Sequence, residues 1–189
     1  MDDHSLFEQL KPHLEACGSM LEATHLDRSE LVEGEWSNEP DLRLWVDQET
    51  MMTCLVARHP DDMHLNGYVA VDVSHPLHGA SLKEVNSKIR FPITNASREI
   101  YVDPNPSKIQ TILNSSGVWW IGFDFMHLLN DVSPLVKSMR AQGLTALEFL
   151  ERMHPQATYK NVEFATQRCE MLAKQLKQAS HDNGRAQDK

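Results

Sequence analysis

Cysteine is scarce in this chain: Cys17, Cys54 and Cys169 are the three it has, an odd number at unrelated spacings. That argues against a disulfide framework and against a CxxC metal knuckle, and the chain reads as reduced and cytosolic. Long apolar runs are also missing, none approaching the ~20 residues that span a bilayer. The opening "MDDHSLFEQL" is acidic where a signal peptide would be basic. Positive charge is in short supply, with a net charge of -9, which argues against a duplex nucleic-acid binder because such binding needs clustered Lys and Arg. There is no Gly-rich phosphate loop, no GxSxG elbow and no HExxH pair. Cys54 sits inside an apolar stretch, where thiols are usually inert.

What is present suits one domain: 189 residues, 41% of them hydrophobic, bury a sizeable core. Ser5 and Glu8 form a capping box, and Leu6, Leu10, Leu14 and Leu21 recur at helical spacing, so residues 5–26 are expected to be helical with a kink or restart at Pro12. "LRLWV", "MTCLVAR" and "NGYVAVDV" then read as strands, and "KIRFPIT" and "REIYVD" as two more, the first at an edge because of Pro92. Ser81 and Glu84 are placed to cap a short turn. Ser133, Pro134 and Gly143 bracket one later helix, and Thr145 and Glu148 open another that Pro155 ends. The last helix, about 158 to 180, carries Val162, Ala165, Cys169, Leu172, Leu176 and Ala179 as a narrow seam, which either docks on the sheet or pairs two chains. The expected architecture is a single α+β domain over residues 1–180, a mostly antiparallel sheet with N-terminal and C-terminal helices packed on it, followed by a disordered polar tail over 181–189.

The chemically informative stretch is "GVWWIGFDFMHLLND", residues 117 to 131. Alternation puts Trp119, Ile121, Phe123 and Phe125 on a core face, and Val118, Trp120, Gly122 and Asp124 on the other. An indole beside a glycine gap and then a carboxylate can form a recess where a planar ligand stacks. The strand over 66–72 repeats the order aromatic, small, acid in Tyr68, Ala70 and Asp72. The ligand-binding candidates are therefore Tyr68, Asp72, His75, His78, Trp120, Asp124 and His127. The structural alternative is that both faces are covered, with Trp120 in the core and Gly122 admitting the C-terminal helix. His75, His78, Asp124 and His127 also offer nitrogen and oxygen donors suited to a divalent metal such as Zn²⁺, Mn²⁺ or Fe²⁺, with Asp131 or Asp72 orienting a histidine; the alternative is a structural His–Asp hydrogen bond. Four histidines, His59, His64, His75 and His78, fall within twenty residues and suggest sensitivity to pH or metal. Arg90 and Arg98 read as solvated strand charges, or as partners for a phosphate if turned inward.

Gly67, Tyr68, Val69, His75, Pro76 and Gly79, followed by Trp119, Trp120, Gly122, Phe123, Asp124, His127 and Asp131, give a pattern that resembles a family of small uncharacterised phage and prophage proteins, over roughly residues 65 to 176. The chain departs from that pattern in having "RFPIT" where the family often has a His-Gly-Gly-Leu-Thr block, Phe125 where a cysteine is common and Asn130 where a glycine is. The resemblance implies a phage-type accessory protein, with a counter-defence role in the host cytoplasm fitting that context. Three functional readings follow. The first is binding, without catalysis, of a small ligand such as a nucleotide or nucleotide signal. The second is a metal-dependent hydrolase using the His/Asp site. The third is an acidic module acting on a host protein. The partners expected are a small molecule or a host protein, with no duplex nucleic acid, no membrane, and a homodimer through the C-terminal helix as an option.

Overall fold

A computed structural model describes residues 20–100, 113, 117–126, 133, 134, 138 and 158–187. Its elements in chain order are β1 (Met20–Ala23), a 3-10 turn (Glu35–Asn38), β2 (Leu42–Val46), β3 (Thr53–Arg58), β4 (Leu65–Val71), α1 (Leu82–Lys88), β5 (Asn95–Ser97), β6 (Trp119–Asp124) and α2 (Val162–Gln187). The six strands make one sheet in the order β1-β2-β3-β4-β6-β5, with every neighbouring pair antiparallel. This is the expected α+β class.

The central strands follow from their alternation. In β4, Leu65, Val69 and Val71 point to one core, while Tyr68 and Ala70 point to another. In β6, Ile121 and Phe123 join the first core with Phe125 beyond them, and Val118 and Trp120 join the second. Because both faces are covered, every residue of β3 and β4 is buried. On the first face lies α2, whose Val162, Ala165, Cys169, Leu172, Ala173 and Leu176 pack among Cys54, Val56, Val69 and Phe123. The seam of the last helix is thus packed on the sheet. On the second face, Leu44, Leu55, Tyr68 and Trp120 meet Ile100 and Leu113.

Close approach of α2 depends on Gly67. A Cβ there would lie 2.7 Å from Phe123 Cε1 and 2.8 Å from Cys169 Sγ. Gly122 serves a different neighbour: its Cβ would meet Gly67 O and Tyr68 Cδ1, both at 2.5 Å. The glycine that admits the helix is therefore Gly67, and the space over Gly122 is filled by the ring of its cross-strand partner Tyr68.

Several local expectations change. Residues 20–23 of the expected N-terminal helix form β1, because pairing Leu21 with Leu44 buries Leu21 at the sheet edge and overrides helical spacing. The remainder of that helix, 5–19, lies outside the described residues, as do the two helices placed between 133 and 155 apart from Ser133, Pro134 and Ser138. "KIRFPIT" buries Ile89, Phe91 and Ile93 without joining the sheet. The amide of Asn86 takes both backbone groups of Ile93, accepting its N–H at 3.1 Å and donating to its C=O at 3.0 Å, and Pro92 has no donor to give. The edge strand is instead the short β5, and "REIYVD" contributes only the buried Ile100 among its described residues. The Ser81–Glu84 capping box is present and opens α1. Asn161 accepts the Phe164 N–H at 2.8 Å and starts α2, which runs to Gln187, through much of the segment expected to be a disordered tail. Among the described residues, no helix is long and apolar enough to cross a membrane.

Candidate functional site

The recess expected around Trp120 does not exist. β4 and β6 are neighbours, with Tyr68 opposite Gly122 and Ala70 opposite Trp120. That places the two polar-face triplets together, but Trp120 is 0% exposed and Tyr68 6%. The two rings meet edge to face at 6.5 Å, and burial pushes the Tyr68 hydroxyl well above its usual pKa. Neither ring has a free face for a planar ligand, so the stacking role of Tyr68 and Trp120 is replaced by a core role.

Of the metal set His75, His78, Asp124 and His127, the described members do not converge either. His75 is buried, its Nδ1 accepts the Leu77 N–H at 3.1 Å, and its Nε2 donates to the Leu176 carbonyl of α2 at 3.0 Å. Those partners fix the tautomer and use both ring nitrogens, Nδ1 as acceptor and Nε2–H as donor; burial holds the ring's pKa below the ordinary 6.5. His78 donates from Nε2 to the Gly117 carbonyl at 3.0 Å and tilts over Trp119. Both histidines stand beyond the Val71 end of β4, whereas Asp124 pairs with Asn66 near the other end. Five residue steps separate Asn66 from Val71, about 17 Å at ~3.4 Å per residue, far beyond any one ion's reach. His127 lies outside the described residues. Asp72 accepts from the Ser74 N–H and O–H at 2.8 and 2.6 Å, which lowers its pKa, and it remains exposed.

A different group assembles at the β3–β4 hairpin. Strand pairing ends at Arg58 and Leu65, and the His59 N–H donates to the His64 carbonyl at 2.8 Å to close the loop. Met63 takes a left-handed φ of 61°, unusual for a side chain of that size. This turn brings one ligand atom each of His59, Asp62 and His64 within 4.8 Å of one another. The two imidazoles stack at 5.0 Å and 10°, and His59 Nδ1 lies 3.7 Å from Asp62 Oδ2. His64 is 5% exposed, and its Nδ1 is buried with no well-formed hydrogen bond among the described residues, the Asn66 side chain lying beside the ring. Burial, then the neighbouring His59, lowers the His64 pKa, while Asp124, Asp62 and the Asn66 side chain act in the opposite sense. Asp124, a candidate from the sequence, therefore does act on a histidine, although on His64 rather than His75.

The hairpin is anchored from below by a buried ionic knot. Arg58, 2% exposed, donates to the Met63 carbonyl at 2.9 Å, to Glu39 at 2.7 Å and to the Tyr159 hydroxyl at 3.1 Å, with its Nε 3.3 Å from Asp41. Asp41 also takes the backbone N–H groups of His25 and Leu26 and pairs with Arg28, which hold its carboxyl below the usual range against the cost of burial. Glu39 accepts from Tyr159 and, at 3.3 Å, from the Val162 N–H at the start of α2. Two arginines balance two carboxylates, so the knot is neutral and structural. The histidine count in the sequence pointed toward the hairpin, but the knot joins residues more than a hundred positions apart and has no local signal.

No protein-family model matches this chain, no curated protein matches it, and no solved structure matches it.

Proposed function

We propose that this is a metal-binding protein whose site is the β3–β4 hairpin, with His59, Asp62 and His64 as ligands. The observation that carries the reading is the convergence of one donor atom each of His59, Asp62 and His64 within 4.8 Å, on a hairpin where His64 is buried. Each of the three offers a lone pair that a cation suits. Two imidazole nitrogens and one carboxylate oxygen, with no thiolate, are the donor set of Zn²⁺, Mn²⁺ or Fe²⁺ bound through three protein ligands with a position left for solvent or a further ligand.

The fit requires a modest closure. Tetrahedral Zn²⁺ at about 2.0–2.1 Å from each donor spaces its ligands about 3.4 Å apart, so atoms now within 4.8 Å of one another draw together by up to about 1.4 Å. Arg58 holds the Met63 carbonyl between two of the ligands and thereby fixes the loop that must close.

Titration calorimetry with Zn²⁺ tests the reading. One ion per chain should bind, and at one hundred times Kd it should raise stability by about 2.7 kcal/mol, reversed by chelator. His64→Ala should weaken binding at least about tenfold, and Asp62→Asn, a change at a half-buried position that leaves the fold alone, should do the same. Binding unchanged in Asp62→Asn, or no saturable heat with the wild type, would sink the proposal.

A further inference from the structure

A second site lies at the other end of β4 from the histidine hairpin. There a cleft of about 220 Å³ opens between the β2–β3 turn, the end of β4, the segment before β6 and the C-terminal half of α2, with Met51, Met52, Val71, Asp72, Val118 and Ser180 among its walls. We propose that this cleft binds a small organic ammonium, an apolar body seated against Met51, Met52, Val71 and Val118 with its cationic nitrogen on the Asp72 carboxylate. The proposal is independent of metal binding at the hairpin.

Four observations lead to that chemistry. The polar group best placed to select charge is Asp72, which is exposed and has no ion-pair partner among the described residues. Its Oδ1 is oriented by the two hydrogen bonds from Ser74, which also keep the group ionised by lowering its pKa, so the carboxylate is fixed in place before any ligand arrives. His75, the other titratable group of the cleft, has both ring nitrogens committed to Leu77 and Leu176 and offers a ligand no polar atom. A fixed carboxylate, the one anionic side chain among the cleft's described walls, selects a cation and rejects an anion, and the chain's net charge of -9 favours the same sign.

The mouth of the cleft is unusually apolar for a water-facing position. Met51 is 62% exposed and adopts a left-handed φ of 61°, which its own N–H holds by donating to the Asp47 carbonyl at 2.7 Å. Strained non-glycine residues of this kind collect at ligand clamps and binding loops. As to size, benzene occupies an engineered cavity of about 150 Å³. A cleft of 220 Å³ therefore takes a ring of that size with a short aminoalkyl arm.

The experiment uses 2-phenylethylamine as probe and 3-phenylpropionate as its anionic counterpart, each titrated into the full chain and followed by ¹H–¹⁵N chemical shifts. The amine should give saturable shifts at Val71, Asp72 and Ser74 and bind at least about tenfold tighter than the carboxylate. Asp72→Asn, which keeps an acceptor for Ser74, should cancel most of that preference, and Met51→Ala should weaken the amine while preserving it. Equal binding of the two probes, an unchanged preference in Asp72→Asn, or no saturable shift at these residues by about 20 mM amine would overturn the assignment.

Discussion

Replacing Gly67 by alanine tests how tightly α2 is seated on the sheet. The added methyl would stand 2.7 Å from Phe123 Cε1, closer still to Phe123 Cζ, and 2.8 Å from Cys169 Sγ. Neither neighbour can step aside: Phe123 is 1% exposed and wedged between Phe91 at 5.0 Å and Phe125 at 5.3 Å, and Cys169 sits within α2 at 0% exposure. Bringing those contacts to an ordinary carbon separation of about 3.5 Å needs displacements of about 0.7 to 1.2 Å in an interior packed as densely as a crystal. Overpacking of that kind costs about 1–3 kcal/mol, offset by about 0.5–1 kcal/mol for the chain entropy that alanine removes from the unfolded state. The net expectation is a loss of about 1–2 kcal/mol, read as a lower urea midpoint at constant slope by tryptophan fluorescence. Gly79→Ala is the control for backbone conformation alone, since φ there is 76° and nothing lies within 4 Å of the new methyl. If Gly67→Ala lost less than about 0.5 kcal/mol, the helix would not be held at the distance described, and the reasoning would fail.

Other outcomes follow from the same structure. Trp120→Ala should cost about 3–5 kcal/mol, whereas a ligand-stacking tryptophan at the surface would cost far less in the absence of ligand. His75→Ala leaves the Leu77 N–H and the Leu176 carbonyl without their partner, for a loss of about 2–4 kcal/mol in thermal or denaturant unfolding. His75 also predicts a pH dependence. Its folded pKa lies below the ordinary 6.5 because burial, the largest effect, and the like charges of His78 and Lys88 outweigh the Leu176 carbonyl and Asp72. The unfolded chain therefore takes up the proton first, so this contribution is complete above about pH 6.5 and declines as pH falls from there toward the folded value. His75→Gln should flatten that part of the stability curve, and an unchanged slope between wild type and variant would contradict the assignment.

The sheet was legible where alternation carried the information. β2, β3, β4 and β6 lie within a residue or two of their expected places, because successive side chains feed the cores on the two faces in turn and nothing local opposes it. The two faces of "VWWIGFDF" were also correctly separated, but which face meets water is not written in alternation: with both faces covered, Trp120 and Ile121 are equally buried. The candidate site failed for the same reason. His75 and Asp124 looked like companions because both sit near strand ends, yet antiparallel pairing puts them at opposite ends of one ladder. Conversely, His59 and His64 were present in the histidine count but Asp62 was not singled out, and what joins the three is a turn whose left-handed residue is Met63, where a glycine or asparagine would have announced it. "KIRFPIT" shows a strand-like pattern in which both backbone groups of Ile93 are claimed by a side chain, Asn86, that no period reveals.

The knot around Arg58 carries a consequence for the order of events during synthesis. Glu39, Asp41 and Arg58 leave the ribosome long before Tyr159 and Val162, which complete their hydrogen bonds across separations of 101 and 123 residues. Until then the partly made chain holds a guanidinium and a carboxylate short of partners, and the face of β3 and β4 that α2 will cover stays open, with Cys54, Val56, Val69 and Phe123 uncovered. Non-local closure of this kind slows folding and leaves apolar surface available to other chains while it waits. The C-terminal helix is thus the latch of the domain: a chain stopped before Tyr159 has its strands but lacks one side of its core, and its fate is association rather than a smaller native state.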